Sequence, residues 1–380
     1  MRAPIILDFG SHTCKAGFAG NDQPSLSFRT VLGTSMEAFL YPSLAGYPET
    51  GSLLDNQTLE WLIGFDAVDT RQPMKYVYPI HRGRVIEWDA FEKLLIYVFE
   101  TLQIDPAEQP FLFLDRVLAP KTDREKLAEL CFENFDIPGI YVLPAGRAAL
   151  NAAGTNTGIV IEIGHGVLSI LPVYETFPLY HAAKRLDIGG KDITEYLIRL
   201  ARTEGIPTTD LMHPEVMEKV KEKLCYVAPD ITHTPSQASC DYVTQTGEKK
   251  SVEMMFERTK APEILFNPQL VGKEILSLQK AILESVTTCD VEIRGRLYSN
   301  IVLSGGSALF KGLETRLTQE LLNLAPHIEM FLKIQIIPKL EHLAWTGAGI
   351  ATIFQREDTD IWITRDEYFR TGAMAIHRSG

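Results

Sequence analysis

The chain has 380 residues and is 45% hydrophobic and 23% charged, which is ordinary for a globular protein whose length suits two domains or one large lobed domain. Its formal net charge of −12 argues against direct binding to nucleic acid, because that affinity rests on clustered lysine and arginine. No apolar run reaches the length of a membrane span, and five scattered cysteines with no secretion signal at the start predict an intracellular protein with reduced thiols.

Strand-like runs alternate with helical patterns along the chain. Short apolar runs bounded by turn residues predict strands at 4–10, 17–20, 111–114, 139–144, 158–164, 168–174 and 299–306. Apolar residues at helical spacing predict helices over 87–104, 122–135, 189–205, 214–228 and 312–326. The alternation indicates an α/β fold.

Two polar, turn-rich stretches interrupt this pattern. Residues 33–60 and 229–252 have little apolar periodicity, so we expect both to be long surface excursions. The first contains apolar and aromatic residues that suit contact with another protein and, equally, packing on the chain itself: Phe39, Leu40, Tyr41, Leu44 and Tyr47.

Three predicted strands end in glycine turns of related form. "IILDFGSH" at 5–12 is echoed by "IVIEIGHG" at 159–166, and a further strand ends in "SGG" at 304–306. Because glycine lets backbone N–H groups approach phosphate oxygens, the three turns together predict a nucleotide held between two similar halves. Asp8 and Glu162 suit a hydrated divalent cation approached from opposite sides, and Lys15 suits a phosphate contact.

Longer stretches resemble the actin family, in order, over nearly the whole chain. They are "DFGSHTCKAGFAGNDQP" (8–24), "YPIHRGRVIEWD" (78–89), "KEKLCYVAPD" (221–230), "APEILFNP" (261–268), 289–317 and 361–378. The resemblance implies the actin fold, which is α/β with two lobes, each built on a mixed sheet of ribonuclease H type, around a nucleotide cleft. It implies a small outer lobe at 1–143, a large inner lobe at 144–335 and a C-terminal segment at 336–380 that returns to the outer lobe. The stretch 33–60 lies in the region of actin's subunit-contact loop but has no likeness to it.

The resemblance also implies a cofactor, ATP or ADP with Mg²⁺ or Ca²⁺. Matching the family's motifs residue by residue, the implied nucleotide-binding residues are Gly10, Ser11, His12, Cys14, Lys15, Gly164, His165, Gly166, Lys221, Glu222, Gly305, Gly306, Ser307 and Leu309. The implied metal residues, acting through waters, are Asp8 and Glu162.

Departures from actin concentrate where actin holds the attacking water. Ala145 stands at the position of a water-orienting glutamine, and Ser169 at that of a histidine in the same network. Glu162 and His165 replace two aspartates. Since groups that orient water and relay protons supply most of the protein's help in such a reaction, we expect weak or absent ATP hydrolysis and no catalytic residue.

The same departures bear on nucleotide affinity. His165 has a structural interpretation, which we favour, in which it fills the gap left by the aspartate and packs against the loop. The functional alternatives are contact with the phosphate as a cation and general-base catalysis. His12 stands where actin has a glycine, and either adds positive charge near the phosphates or crowds the γ-phosphate. Glu341 aligns with a lysine that packs near adenine in actin, which puts affinity in question on that side too.

Three functions stay open for such a chain. We favour an actin-related structural subunit of a cytoskeletal or other multi-protein assembly, with actin or actin-like subunits and assembly proteins as partners. The alternatives are a self-polymerising, ATP-hydrolysing divergent actin and a small-molecule kinase, against which no acid is evident as base for a substrate hydroxyl. We expect an oligomer or complex subunit in the cytoplasm or cytoskeleton, with the nucleus as the other candidate compartment.

Overall fold

The computed structural model of the protein describes residues 2–35, 61–70, 74–206, 214–230, 232–244, 247–337, 340–354 and 361–378. Most of the predicted protein-contact stretch, including its apolar and aromatic residues at 39–47, lies outside the described residues. Its role therefore stays a prediction.

Strands and helices alternate along the described chain, as the sequence predicts. The strands are β1 Ile5–Phe9, β2 Thr13–Phe18, β3 Leu26–Arg29, β4 Leu32–Ser35, β5 Leu62–Ile63, β6 Met74–Val77, β7 Ile80–His81, β8 Arg84–Val85, β9 Phe111–Asp115, β10 Gly139–Pro144, β11 Gly158–Ile163, β12 Leu168–Tyr174, β13 Phe177–Pro178, β14 Lys184–Leu186, β15 Ala238–Val243, β16 Lys249–Met254, β17 Ile301–Ser304, β18 Ile334–Gln335 and β19 Ile363–Thr364. The helices are α1 Phe65–Asp69, α2 Trp88–Leu102, α3 Lys121–Glu129, α4 Ala145–Ala152, α5 Gly190–Thr203, α6 Pro214–Leu224, α7 Glu257–Lys260, α8 Leu278–Thr288, α9 Val291–Tyr298, α10 Leu313–Leu324, α11 Leu343–Phe354 and α12 Arg365–Thr371.

The first sheet has the strand order β19-β10-β9-β1-β2-β3. Strands β1, β9 and β10 run parallel, whereas β2 and β3 follow β1 as antiparallel neighbours. The run "FLFL" in β9 is almost wholly apolar because β9 is a central strand whose residues are buried on both faces. Strand β19, from the last part of the chain, pairs with β10 at the edge.

The second sheet repeats this plan. Its order is β13-β12-β11-β17-β18, and β14 also pairs with β12. Strands β11, β17 and β18 run parallel, and β12 is the antiparallel neighbour of β11. The predicted α/β fold with two similar mixed sheets is confirmed. Because parallel strands end at one edge of a sheet, the turns after β1, β9, β11 and β17 can face a common cleft.

Helix α2 illustrates how the apolar period becomes a packed helix. Its apolar residues recur three or four positions apart and form one buried face: Phe91, Leu94, Leu95, Val98 and Phe99. The helix ends where Gln103 adopts the left-handed conformation, with a φ of 54°. The helices predicted over 87–104, 189–205 and 312–326 are confirmed as α2, α5 and α10.

Two predicted helices end sooner than their periods indicate. The helix predicted over 122–135 is α3 followed by a π-helical turn at Leu130–Asn134. The helix predicted over 214–228 ends at Leu224, and from Tyr226 onward the backbone amides bond to other segments. The amide of Val227, for example, donates to the carbonyl of Lys311 at 2.9 Å.

The second polar stretch, 229–252, was predicted as a long surface excursion but contributes most of the β15–β16 hairpin. The side chains of Tyr242, Val252 and Met254 are buried beneath it. These few apolar side chains anchor the hairpin, although neighbouring residues are polar and exposed. The alternation is too short and too polar to stand out in the sequence.

Candidate functional site

The carboxyl ends of parallel strands from both sheets open onto one cavity of about 780 Å³, within the usual range for small-molecule sites. The predicted site residues that line it are Asp8, Gly10, Ser11, His12, Lys15, Glu162, Gly164, His165, Gly166, Lys221, Glu222, Gly305, Gly306, Ser307 and Leu309. Cys14 is the exception, since its side chain is buried behind the loop with Sγ 3.2 Å from Thr30 Oγ1. Burial raises the pKa of the Cys14 thiol to about 12, so it stays protonated.

The first loop is the turn between β1 and β2. The amide of Gly10 donates to the carbonyl of Thr13 at 3.1 Å, and the Thr30 hydroxyl donates to the carbonyl of Gly10 at 2.7 Å. Ser11 Oγ accepts a hydrogen bond from the amide of Gly83 at 2.7 Å. These hydrogen bonds to neighbouring protein groups fix the conformation of the first loop.

The second loop follows β11 and lies against the first. The amide of Gly164 donates to the carbonyl of Val167, and the amide of Gly190, at the start of α5, donates to the carbonyl of Gly164, each at 2.9 Å. A Cβ on Gly166 would lie 3.1 Å from Ser11 Oγ, so the absence of a side chain there lets the two loops approach each other.

The third turn, after β17, contains two glycines with different roles. Gly305 has a φ of 90°, and a Cβ on it would lie 2.6 Å from the carbonyl oxygen of Ile163, so only glycine fits. A Cβ on Gly306 would meet no described atom within 4 Å, which leaves its backbone facing open space. Because a bare backbone beside a cavity permits close approach of phosphate oxygens, the three turns fit the phosphates of a nucleotide.

Arg116, a residue with no role predicted from the sequence, lies between the first two loops. Its guanidinium donates to Asp8 Oδ1 at 2.5 Å and also to Glu162 Oε1. Lys15 Nζ donates to the other Asp8 oxygen at 3.0 Å. Burial by itself would raise the pKa of Asp8, but the positive charges of Lys15 and Arg116 outweigh burial and hold that pKa below its usual value.

The position of Arg116 in the sequence does indicate that its side chain can reach Asp8. The residue directly follows β9, and β9 pairs in parallel with β1, which carries Asp8. Residues just past the ends of parallel neighbours lie at the same edge of a sheet, so an arginine there is placed to reach Asp8. Predicting this requires knowing that β9 is the neighbour of β1.

A divalent cation does not fit between Asp8 and Glu162 in this arrangement. The two carboxylates carry a formal charge of −2, and Arg116 and Lys15 already balance it with +2. Both Asp8 oxygens and one Glu162 oxygen accept hydrogen bonds from these two cations. Mg²⁺ and Ca²⁺ need free oxygen ligands, and a guanidinium offers only N–H donors. The two residues predicted to hold a metal through waters are hydrogen-bonded to an arginine instead.

His12, His165 and Glu218 form a cluster where the first two loops meet. His12 Nε2 donates to Glu218 Oε2 at 2.8 Å, His165 Nδ1 lies 3.4 Å from Glu218 Oε1, and the imidazole centroids are 4.6 Å apart. Burial lowers the pKa of His165 to about 3. Burial would raise the pKa of Glu218, but the hydrogen bond from His12 and the charge of Arg29 help to lower it to about 2. Near neutral pH, His165 is therefore uncharged and Glu218 ionised.

The residues predicted to meet the adenosine share the same cavity. Lys221 Nζ donates to the carbonyl of Gly190 at 3.2 Å and to Thr194 Oγ1 at 3.0 Å, and burial lowers the pKa of Lys221. Glu222 and Glu341 also line this cavity. Glu341 therefore shares one cavity with the residues predicted to meet the adenosine.

Ala145 and Ser169, the two positions predicted to match actin's water-network groups, differ in their surroundings. Ala145 is 1% exposed and packs in a core cluster with Leu143 and Trp345, outside the cavity lining. Ser169 does line the cavity, and it lies opposite Glu162 in the β11–β12 ladder. Ala145 therefore places a methyl group in the core, and Ser169 places a hydroxyl beside the cavity.

Ion pairs tie the part of the chain before residue 143 to the part that follows. Arginines on the first part meet carboxylates on the second: Arg116 with Glu162, Arg82 with Asp192, and Arg29 with Glu215 and Glu218. All of these side chains are less than one-fifth exposed. The cleft is therefore held together by the protein's own charges.

Comparison with known protein families gives one result that bears on the whole chain. A family model described as Actin matches residues 2–380. Within the described ranges, no helix combines the length and the apolar character needed to cross a membrane.

Proposed function

Because the chain belongs to the actin family, we propose that it is an actin-related structural subunit that binds ATP or ADP in the cleft and hydrolyses it weakly or not at all. Membership of the family supports nucleotide binding in general terms. The three glycine turns around a cavity of about 780 Å³ support it at the level of residues.

The observation that carries the proposal is that the acidic and imidazole side chains described beside the phosphate loops are already engaged by other side chains. His12 and His165 both contact Glu218, and the other ring nitrogen of His12 is hydrogen-bonded to Thr13. Asp8 and Glu162 are held by Arg116. His165, with a pKa of about 3, is a poor match for a general base that works near neutral pH. Ala145 offers only a methyl group, and that group packs in the core. None of these side chains is therefore free to orient an attacking water or take its proton.

The ion pairs across the cleft support a structural role. An actin-type subunit that uses its nucleotide cycle must change the relation between its two halves, whereas this cleft is tied by buried arginine–carboxylate pairs. Bound nucleotide would then add stability to the folded state by mass action. The partners we propose are actin or actin-like subunits and assembly proteins of a cytoskeletal complex in the cytoplasm.

The test is a single-turnover assay on the purified protein loaded with γ-labelled ATP. Conventional actin, assayed beside it under polymerising conditions, is the positive control, and sedimentation of both proteins is measured in the same samples. We expect ATP to stay intact over the time in which the control releases its phosphate. Phosphate release at the control's rate, coupled to sedimentation, would replace the structural proposal with that of a self-polymerising ATPase.

A further inference from the structure

Arg116 occupies the space between the two carboxylates that face each other across the cleft. It is 18% exposed, Asp8 is 5% exposed and Glu162 is 15% exposed, so the three side chains are largely shielded from water. A Cβ on Gly10 would lie 3.6 Å from Arg116 Nη2, which places the guanidinium against the first phosphate loop. The guanidinium therefore lies beside the first phosphate loop and also between the two carboxylates that were predicted to hold the metal.

The positive charge of Arg116 lies where a divalent cation would otherwise supply it. In a nucleotide site, a divalent cation bridges phosphate oxygens and neutralises part of their charge, and acidic side chains hold that cation in place. Here Arg116 and Lys15 balance Asp8 and Glu162, so the carboxylates have no net charge left to attract a further cation. A cation that entered would have to displace a guanidinium hydrogen-bonded to both carboxylates.

The guanidinium still has donors to offer. Its hydrogen bonds to Asp8 and Glu162 use two of its five N–H groups, which leaves three for other acceptors. Arginine suits phosphate particularly well because its planar donors match two oxygens at once. Lys15 lines the same cavity and adds a second positive charge.

We propose that Arg116 replaces the divalent cation, so that the cleft binds nucleoside di- or triphosphates in their metal-free form. This inference rests on the proposed function and names the ionic form of the ligand. Arg116 is fixed by two carboxylates, so it is pre-organised for phosphate, and the cofactor's own Mg²⁺ becomes unnecessary for binding.

The experiment measures binding of a fluorescent ATP analogue to the full chain, stripped of nucleotide, in excess Mg²⁺ and in excess EDTA. For the wild-type protein we expect the two Kd values to agree within about threefold, since Arg116 and Lys15 already balance the charge of both carboxylates. For Arg116→Ala we expect binding in EDTA to be weaker than in Mg²⁺ by about thirtyfold or more. That is the range for losing one partner of a buried charge pair, and the freed carboxylates can now hold a cation.

Arg124→Ala is the matched control. Arg124 also binds a buried carboxylate twice, Asp115, which directly precedes Arg116, but Arg124 does not line the cavity. We expect this variant to keep the wild-type insensitivity to EDTA. Circular dichroism shows whether each variant is folded, and the wild-type comparison decides the question by itself if Arg116→Ala does not fold.

The outcomes separate the two proposals. Wild-type binding that requires Mg²⁺ would overturn the role of Arg116 and leave nucleotide binding intact. Insensitivity to EDTA that persists in a folded Arg116→Ala variant would also overturn that role. No binding of the analogue in either condition would overturn both this inference and the proposed function.

Discussion

Replacing Arg82 with alanine tests whether the protein's own ion pairs hold the cleft together. Arg82 donates to both Asp192 oxygens, at 2.8 and 2.9 Å, and to the carbonyl of Gly166 at 2.6 Å. The two side chains are 18% and 6% exposed. Arg82 lies between β7 and β8 and Asp192 lies in α5, so the substitution removes a link between two separate parts of the fold.

The expected cost follows from what remains around Asp192. Removing one partner of a buried ion pair costs about 3–5 kcal/mol when the other charge is left bare. Asp192 keeps the amide of Gly189 and Lys273 Nζ, each at 2.9 Å, so its charge stays partly satisfied. We therefore expect Arg82→Ala to lower the free energy of unfolding by about 2–3 kcal/mol. Combined with Asp192→Asn, the two changes should couple by about 1–2 kcal/mol.

Urea unfolding of nucleotide-free protein measures these free energies. Arg296→Ala is the control, because Arg296 pairs with Glu175 at 3.7 Å and both side chains are about 60% exposed. We expect that control to change the free energy of unfolding by less than about 0.5 kcal/mol. Equal effects of Arg82→Ala and Arg296→Ala, or additive effects of the Arg82 and Asp192 substitutions, would refute the reasoning.

Three further predictions concern His165, the two glycines after β17, and Ala145. Between pH 7 and pH 5 the free energy of unfolding should fall by about 2 kcal/mol through His165 alone, measured by urea unfolding at each pH. The folded-state pKa of about 3 lies below the usual 6.5, so as the pH falls the unfolded chain takes up a proton that the folded protein does not. Gly305→Ala should lower the free energy of unfolding by about 1–3 kcal/mol, because Gly305 has a φ of 90° and an added Cβ would lie 2.6 Å from the carbonyl oxygen of Ile163. Gly306→Ala should keep the urea midpoint and weaken nucleotide binding, because an added Cβ meets no described atom within 4 Å. Ala145→Gln should overpack the core at a cost of about 1–3 kcal/mol and leave phosphate release at the wild-type level.

Each of these predictions has a result that contradicts it. His165→Gln should flatten the fall in stability between pH 7 and pH 5, and an unchanged slope would assign that fall to other groups. Equal urea midpoints for Gly305→Ala and Gly306→Ala would mean that backbone strain and close contact at Gly305 have no measurable cost. Faster phosphate release in Ala145→Gln would show that the new side chain reaches the cleft.

The glycine turns of the site were predictable because their requirements are local. Gly305 needs glycine for its own φ and its own neighbours, and the acid-and-glycine pattern repeats after two strands. That the Cys14 side chain points away from the cavity could also have been predicted, since successive side chains of a strand point to opposite faces. Lys15 lines the cavity, so its neighbour Cys14 points into the core.

Arg116 was not predictable from a local pattern. Its partners Asp8 and Glu162 are 108 and 46 residues away, and they meet it only once both sheets are formed. Resemblance indicated the positions of the two carboxylates in the cleft but gave no sign that an arginine pairs with both of them. The hairpin β15–β16 was missed for a different reason, because its buried residues are few among polar neighbours.

The most direct test of the central claim is the identity of the nucleotide extracted from the purified protein, determined by mass and quantified per chain. Because the acidic and imidazole side chains described beside the phosphate loops are engaged by other side chains, we predict intact ATP at about one molecule per chain when the protein is isolated from an ATP-containing solution. ADP with released phosphate in place of ATP would contradict the claim that the cleft holds the nucleotide without cutting it. An empty cleft would contradict nucleotide binding itself.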